Sequence, residues 1–150
     1  MRKIVLDTNV VLDLFVFRDE RVSELHAALK SRELHWIATA AMREEFACVL
    51  DYPNLSARAG AIGKDGALSL FDGAAVLVDA PARCAIACRD DDDKKFIDLA
   101  VAHGAMLLSK DAHVLALRKK LAAAGVAAAP QFNAPTQPKT GPAVPSASTS

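Results

Sequence analysis

Met1-Arg-Lys-Ile-Val-Leu-Asp7-Thr8-Asn9-Val10 opens the chain with an apolar run that stops on an acid. Ile4, Val5 and Leu6 are too few to span a membrane and read as a buried strand, with Asp7-Thr8-Asn9 as the polar edge where it ends. At the carboxyl end of a parallel strand, such an acid stands where open α/β sheets place their ligands. The same aspartate also suits a turn or a helix cap, so this stretch alone leaves both roles open. The choice depends on whether other acids recur in comparable places.

Working outward, the pattern alternates. Asp19 suits the N-cap of a helix over about 21–32, with Val22, Leu25, Ala28 and Leu29 on one face. Leu34 to Ala38 reads as a strand, and Thr39 as the N-cap of a helix from Ala40 to Leu50. In that helix Met42, Phe46, Val49 and Leu50 form the buried stripe. At 100° per residue Glu45 falls beside the stripe while Glu44 points away. Pro53 and Asn54 break the chain, and the Ala-rich segment Leu55 to Asp72 reads as a helix weakened by Gly60, Gly63 and Gly66.

A third strand is expected over 75–78. The run Asp90-Asp-Asp-Asp93-Lys-Lys opens a helix to about His103, with Phe96, Ile97, Leu99 and Ala100 inward and Gly104 as its stop. Ala105 to Leu108 is a fourth strand, ending on Ser109-Lys110-Asp111. A helix over about 112–123 follows, and 126–128 is a weak fifth strand after Gly125. Strands alternating with helices predict an α/β domain with a mainly parallel sheet of four to five strands.

From Pro130 the composition turns to Pro, Ala, Ser and Thr, with Pro130, Pro135, Pro138, Pro142 and Pro145 and no hydrophobic periodicity. The expected organisation is one domain over residues 1–133 and a flexible tail over 134–150. A length of 150 residues with 52% apolar content suffices for one buried core. Eighteen acidic and 18 basic residues cancel, so nucleic-acid binding would need local patches rather than a global field. Cys48, Cys84 and Cys88 match no common zinc or redox spacing and read as reduced, small core residues. No apolar run approaches the roughly 20 residues of a membrane span, so no membrane association and a cytoplasmic location are expected.

The acids Asp7, Glu45, Asp93 and Asp111, in these contexts, resemble the PIN-domain nucleases. The resemblance rests on Asp7-Thr-Asn-Val10, on Glu45 followed by Phe46-Ala-Cys-Val-Leu50, on Cys88-Arg-Asp-Asp-Asp-Asp-Lys-Lys-Phe-Ile-Asp-Leu-Ala100 and on Leu107-Leu-Ser-Lys-Asp111. It extends to the PIN subgroup of toxins in bacterial toxin-antitoxin systems, relatives of the VapC toxins. Implied are a three-layer α/β/α domain and four acids, Asp7, Glu45, Asp93 and Asp111, that bind Mg²⁺ or Mn²⁺ and cleave RNA. Asn9 and Ser109 stand where residues assist the site. Also implied are an RNA substrate, a small antitoxin partner and self-association. Two positions depart from the subgroup. Asp91 replaces a common proline, which leaves Asp92 as the alternative third acid, and Ser109 replaces a threonine while keeping its hydroxyl.

The chemistry suits these residue types. Carboxylates about 4 Å apart repel by about 4 kcal/mol per pair at an effective dielectric near 20, so a divalent cation is the natural counter-charge. His26, His35, His103 and His113 are isolated and are given no role. Arg43, Arg89, Lys94, Lys95, Lys110, Arg118, Lys119 and Lys120 lie near the acids and can form a rim for a phosphate backbone. Two other functions compete. One is an aspartate-based phosphatase or phosphotransferase with Asp7 as nucleophile and Lys110 on the phosphate, against which Asn9 stands where a second Asp is usual. The other is a non-catalytic PIN-like binding module.

Overall fold

A computed structural model describes residues 2–88 and 91–133, so Arg89, Asp90 and the expected tail over 134–150 lie outside the described residues. Five strands, β1 (Arg2–Leu6), β2 (Leu34–Ala38), β3 (Val76–Leu77), β4 (Met106–Leu108) and β5 (Ala128–Ala129), form one sheet in the order β3-β2-β1-β4-β5. Every pairing is parallel. Helices flank the sheet as a three-layer α/β/α domain. β1 lies at the centre, with Ile4 beside both Trp36 and Met106 and Leu6 beside Leu108. Its short apolar run is therefore covered on all sides, and Ile4 and Val5 are fully buried. The chain moves outward from β1 through β2 to β3, then returns to the other side of β1 for β4 and β5. The strand order reverses between β1 and β4, and open α/β sheets leave a crevice beyond the strand ends at such a point.

The helices follow the hydrophobic pattern with informative departures. The sequence pattern gives no element between Val10 and Asp19, yet α1 (Thr8–Leu12) runs there and continues as a π-helical turn over Asp13–Phe17. A run of apolar residues interrupted only by Asp13 has no clear amphipathic period to announce a helix. Arg18, at φ 51°, ends it in the left-handed region. The expected helix over 21–32 is a 3₁₀ turn (Glu20–Val22) capped by Asp19, followed by α2 (Ser23–Lys30). The helix expected over 55–72 is two, α4 (Pro53–Ala59) and α5 (Gly63–Ala74), joined by a 3₁₀ turn. Gly60 and Gly63, at φ 58° and 60°, take a conformation that a continuous α-helix does not contain.

Thr39 caps α3 (Ala40–Val49) as expected, its hydroxyl oxygen accepting from the Met42 amide at 3.4 Å. Met42, Phe46 and Leu50 are buried, Val49 and Glu45 half-buried, and Glu44 exposed. Trp36 of β2 meets the Phe71 ring edge-on at 4.7 Å between centroids, and Phe71 stacks on Phe46 at 5.6 Å. These rings lock α3 and α5 to the sheet, which fixes the direction of Glu45 beside Phe46. β3 is shorter than the expected 75–78 because the Ala75 amide is used on the Phe71 carbonyl, closing α5.

In the second half, α6 (Asp91–His103) packs on β1 and β4 and buries Phe96, Ile97, Leu99 and Ala100. The helix expected over 112–123 is α7 (Ala112–Leu115) and α8 (Arg118–Ala123), divided by a tight turn in which the Leu117 amide donates to Val114. β5 starts later than expected because the Val126 amide is used to close α8 on Leu121. All three cysteines are free; Cys84 and Cys88 are half-buried against the core, whereas Cys48, expected there too, is exposed. Among the described residues, no helix is long and apolar enough to cross a membrane.

α6 also buries an ion pair that hydrophobic patterning did not foresee, Lys94 with Asp98, both side chains under one-tenth exposed. Lys94 Nζ donates to the Cys84 carbonyl at 2.9 Å, and the Cys84 amide donates to Asp98 Oδ1 at 3.0 Å. Together they bind the irregular stretch before α6 to the helix. Removing one member strands the other charge without its partner, whereas replacing both need not. Asp98→Ala is expected to lose about 3 to 5 kcal/mol of stability. In urea titrations the Lys94→Met/Asp98→Leu double variant should recover much of that loss.

Candidate functional site

Asp7 lies one residue past β1, and its amide continues the ladder by donating to the Leu108 carbonyl at 3.0 Å. Its side chain is nearly inaccessible, at 4%. Oδ1 accepts from the Val10 amide at 2.9 Å, which caps α1, and Oδ2 accepts from the Ser109 hydroxyl at 2.5 Å. Capping and rim placement, both left open by the sequence, are thus both realised. Ser109 is fully buried, and its oxygen accepts from the Asp111 amide at 3.1 Å. The parallel register of β1 and β4 brings these groups together across 102 residues of chain.

Asp111 caps α7, its Oδ1 accepting from the His113 amide at 2.7 Å. Across the crevice, Asp93 sits in the first turn of α6 with its Oδ2 buried. One donor atom each from Asp93, Asp111 and His113 lie within 4.8 Å of one another. Asp7 and Glu45 are not in that group. Asp7 is still close enough for the Asp111 charge to act on it. Glu45 is tied to the surroundings of both: Oε2 accepts from the Thr8 hydroxyl, next to Asp7, and Oε1 pairs with Lys95 at 2.5 Å, two residues from Asp93. Asp92 is exposed, so the structure brings Asp93 rather than Asp92 to Asp111. Asn9 is exposed at the start of α1.

A family model described as PIN domain matches residues 3–113. The chain belongs to the PIN-domain family. No curated protein matches it closely. PIN domains are typically nucleases and commonly use divalent metals, and the match covers all four acids. The donors of this PIN domain suit such an ion, since hard carboxylate oxygens from two elements converge at one crevice. Of the neighbouring cations, Lys110 pairs with Asp13 at 2.6 Å, and Lys95 pairs with Glu45 at the edge of the acid group, so neither forms an ion pair with Asp93 or Asp111 among the described residues.

Much of the expected phosphate rim is likewise committed. Lys94 is buried on Asp98 and leaves the rim, and Arg43 pairs with Asp72 at 2.6 Å. Arg118, Lys119 and Lys120 of α8 are exposed and make no ion pair among the described residues, while Arg89 lies outside them. Sequence reasoning gave no role to Asp13, Thr8 or His113. Asp13 had a signal, an acid inside the apolar run Val10 to Phe17, which has to be paired when buried. His113 had a weaker one, its position two residues past Asp111.

Burial pushes the Asp7 carboxyl above its ordinary value, against the opposing pull of the Ser109 hydroxyl, the Val10 amide and Lys110, and Asp111 adds to the rise. A raised folded-state value means that ionised Asp7 costs stability. That cost is absent below the unfolded value, where both states hold the proton, and grows as pH rises through the folded value. In metal-free buffer, Asp7→Asn should therefore gain stability relative to wild type as pH rises above the ordinary carboxyl value of 3.8. Thermal melts across that range check it, and a difference that stays flat with pH would contradict the burial penalty.

Proposed function

We propose that this PIN domain is a metal-dependent endoribonuclease that hydrolyses RNA phosphodiester bonds, and that it serves as the toxin of a toxin-antitoxin pair. The observation that carries the nuclease reading is the approach of Asp93 to Asp111 beside the buried Asp7, at the reversal of strand order. The RNA substrate and the toxin role rest on the likeness of Asp7-Thr-Asn-Val10, Glu45 with Phe46-Ala-Cys-Val-Leu50, the stretch from Cys88 to Ala100 and Leu107 to Asp111 to that subgroup, with Asp91 and Ser109 as its departures. The same likeness supports a small antitoxin partner, self-association and a domain extending to residue 133.

Asp7, Glu45, Asp93 and Asp111 would hold Mg²⁺ or Mn²⁺. When bound, the ion supplies a water of lowered pKa as nucleophile and neutralises charge on the phosphate under attack. The chain's own residues do the positioning. Ser109 and the Val10 amide fix both oxygens of Asp7, so the carboxylate keeps one orientation without reorganising. Thr8 and Lys95 steady Glu45 from two sides. Asn9, exposed at the rim, can hydrogen-bond to the substrate, and Arg118, Lys119 and Lys120 follow closely on α7 as sequence-independent phosphate contacts. A phosphatase with Lys110 on the phosphate is less well supported, because Lys110 is drawn to the buried Asp13.

Cleavage of a panel of structured RNAs, with and without EDTA, tests the reading. EDTA should abolish cleavage, and Asp7→Asn, Asp93→Asn and Asp111→Asn should each lose about 100-fold or more. Asp92→Asn should stay within about threefold of wild type. Cleavage that survives both EDTA and Asp93→Asn would refute the metal nuclease. For the toxin role, expression should arrest growth for wild type and not for Asp93→Asn, and the adjacent reading frame should relieve the arrest.

A further inference from the structure

We propose that His113 is a nitrogen ligand of the ion, and that it gives the centre formed with Asp93 and Asp111 a preference for Mn²⁺ over Mg²⁺. The proposal rests on the reading above, that this crevice holds a divalent cation, and it concerns which donors this chain brings to it.

The geometry carries the assignment. Ligands bound at about 2.0 to 2.3 Å to one ion lie at most about 4 to 4.6 Å apart, even across it. Donor atoms of Asp93, Asp111 and His113 already lie within 4.8 Å of one another, so side-chain rotation without backbone movement can bring all three onto one ion. The local backbone holds the imidazole there. The His113 amide donates to Asp111 Oδ1 at 2.7 Å, and its Nδ1 stands 3.5 Å from the same oxygen. Both contacts fall on Oδ1 and leave Asp111 Oδ2 outside them. The His113 side chain is 45% exposed and that of Asp111 30%, so an ion can enter and keep waters or substrate oxygens in its remaining positions.

The donor types then set the preference. Mg²⁺ demands near-ideal octahedral oxygen ligation and gives up water reluctantly. An imidazole nitrogen is a poor partner for it. Imidazole suits borderline transition ions rather than Mg²⁺, and Mn²⁺, which shares the liking of Mg²⁺ for carboxylate and water oxygens, is a transition ion that tolerates a nitrogen donor and a less regular shell. Two carboxylates with one imidazole are thus a mixed set in which replacing the nitrogen should cost Mn²⁺ more than Mg²⁺. The other three histidines lie elsewhere. His103 is near Lys3 at 3.3 Å, and His26 and His35 line a groove beside α2, β2 and α5.

Binding of Mn²⁺ and of Mg²⁺ to the full chain, by calorimetry and without RNA, reads this directly. Wild type should bind Mn²⁺ at least about tenfold tighter than Mg²⁺, and His113→Ala should weaken Mn²⁺ by about 10- to 100-fold while changing Mg²⁺ by less than about threefold. Electron spin echo spectra of the Mn²⁺ protein should show nitrogen modulation that changes when histidine is labelled with ¹⁵N and disappears in His113→Ala. Unchanged Mn²⁺ affinity and modulation in His113→Ala, with both metals lost in Asp111→Asn, would overturn the role of His113 and leave the metal nuclease standing. Failure of wild type to bind either ion would sink the metal reading and this inference together.

Discussion

The burial of one carboxylate, Asp7, is the constraint around which the site is built. It sits at the end of the central strand, almost out of reach of solvent, and is held by the Ser109 hydroxyl from β4's end and by the first turn of α1. Removing a charge from water is unfavourable unless hydrogen bonds or an opposite charge compensate. The hydrogen bonds are present, yet the carboxyl is still pushed upward by burial. Lys110 acts on Asp7 through its charge but makes its ion pair with Asp13 in the π-helical turn. The crevice is therefore left richer in negative than positive groups, and that imbalance makes a divalent ion chemically reasonable there.

Most of the architecture was legible because it depends on local apolar patterning. Ile4 to Leu6, Leu34 to Ala38 and the stripe of α3 announce themselves by period and by capping residues such as Thr39. Failures cluster where the period is absent or chain ends compete for amides. The Val10 to Phe17 run is apolar at every position but Asp13 and so hides a helix, and β3 and β5 yield residues to the closing turns of α5 and α8. Such competition is decided by tertiary hydrogen bonds, which no window of sequence contains.

For the candidate site, the four acids could be named from motif resemblance, but not their mutual distances. Helical angle placed Glu45 beside the core stripe, whereas its engagement with Thr8 and Lys95 depends on how α1 and α6 approach α3. Asp93 could not be separated from Asp92 by sequence, because consecutive residues in the first turn of a helix differ only in direction. The way α6 packs on β1 and β4 decides which of them meets Asp111. Net neutrality, odd for a member of a nuclease family, becomes intelligible once Arg43, Lys94, Lys95 and Lys110 are seen to be neutralised in place, leaving α8 as the described basic strip.

The lysine clamp beneath the stretch that leads into α6 bears on how the crevice keeps its shape. Lys94 is the immediate neighbour of Asp93, and its ammonium grips the Cys84 carbonyl from inside the protein. A segment without regular structure is thereby made part of the same cooperative unit as the helix, since peeling it away would bare two buried charges at once. Rigidity at Asp93 is thus borrowed from an apparently featureless loop, and lengthening that loop would loosen the acid without touching it.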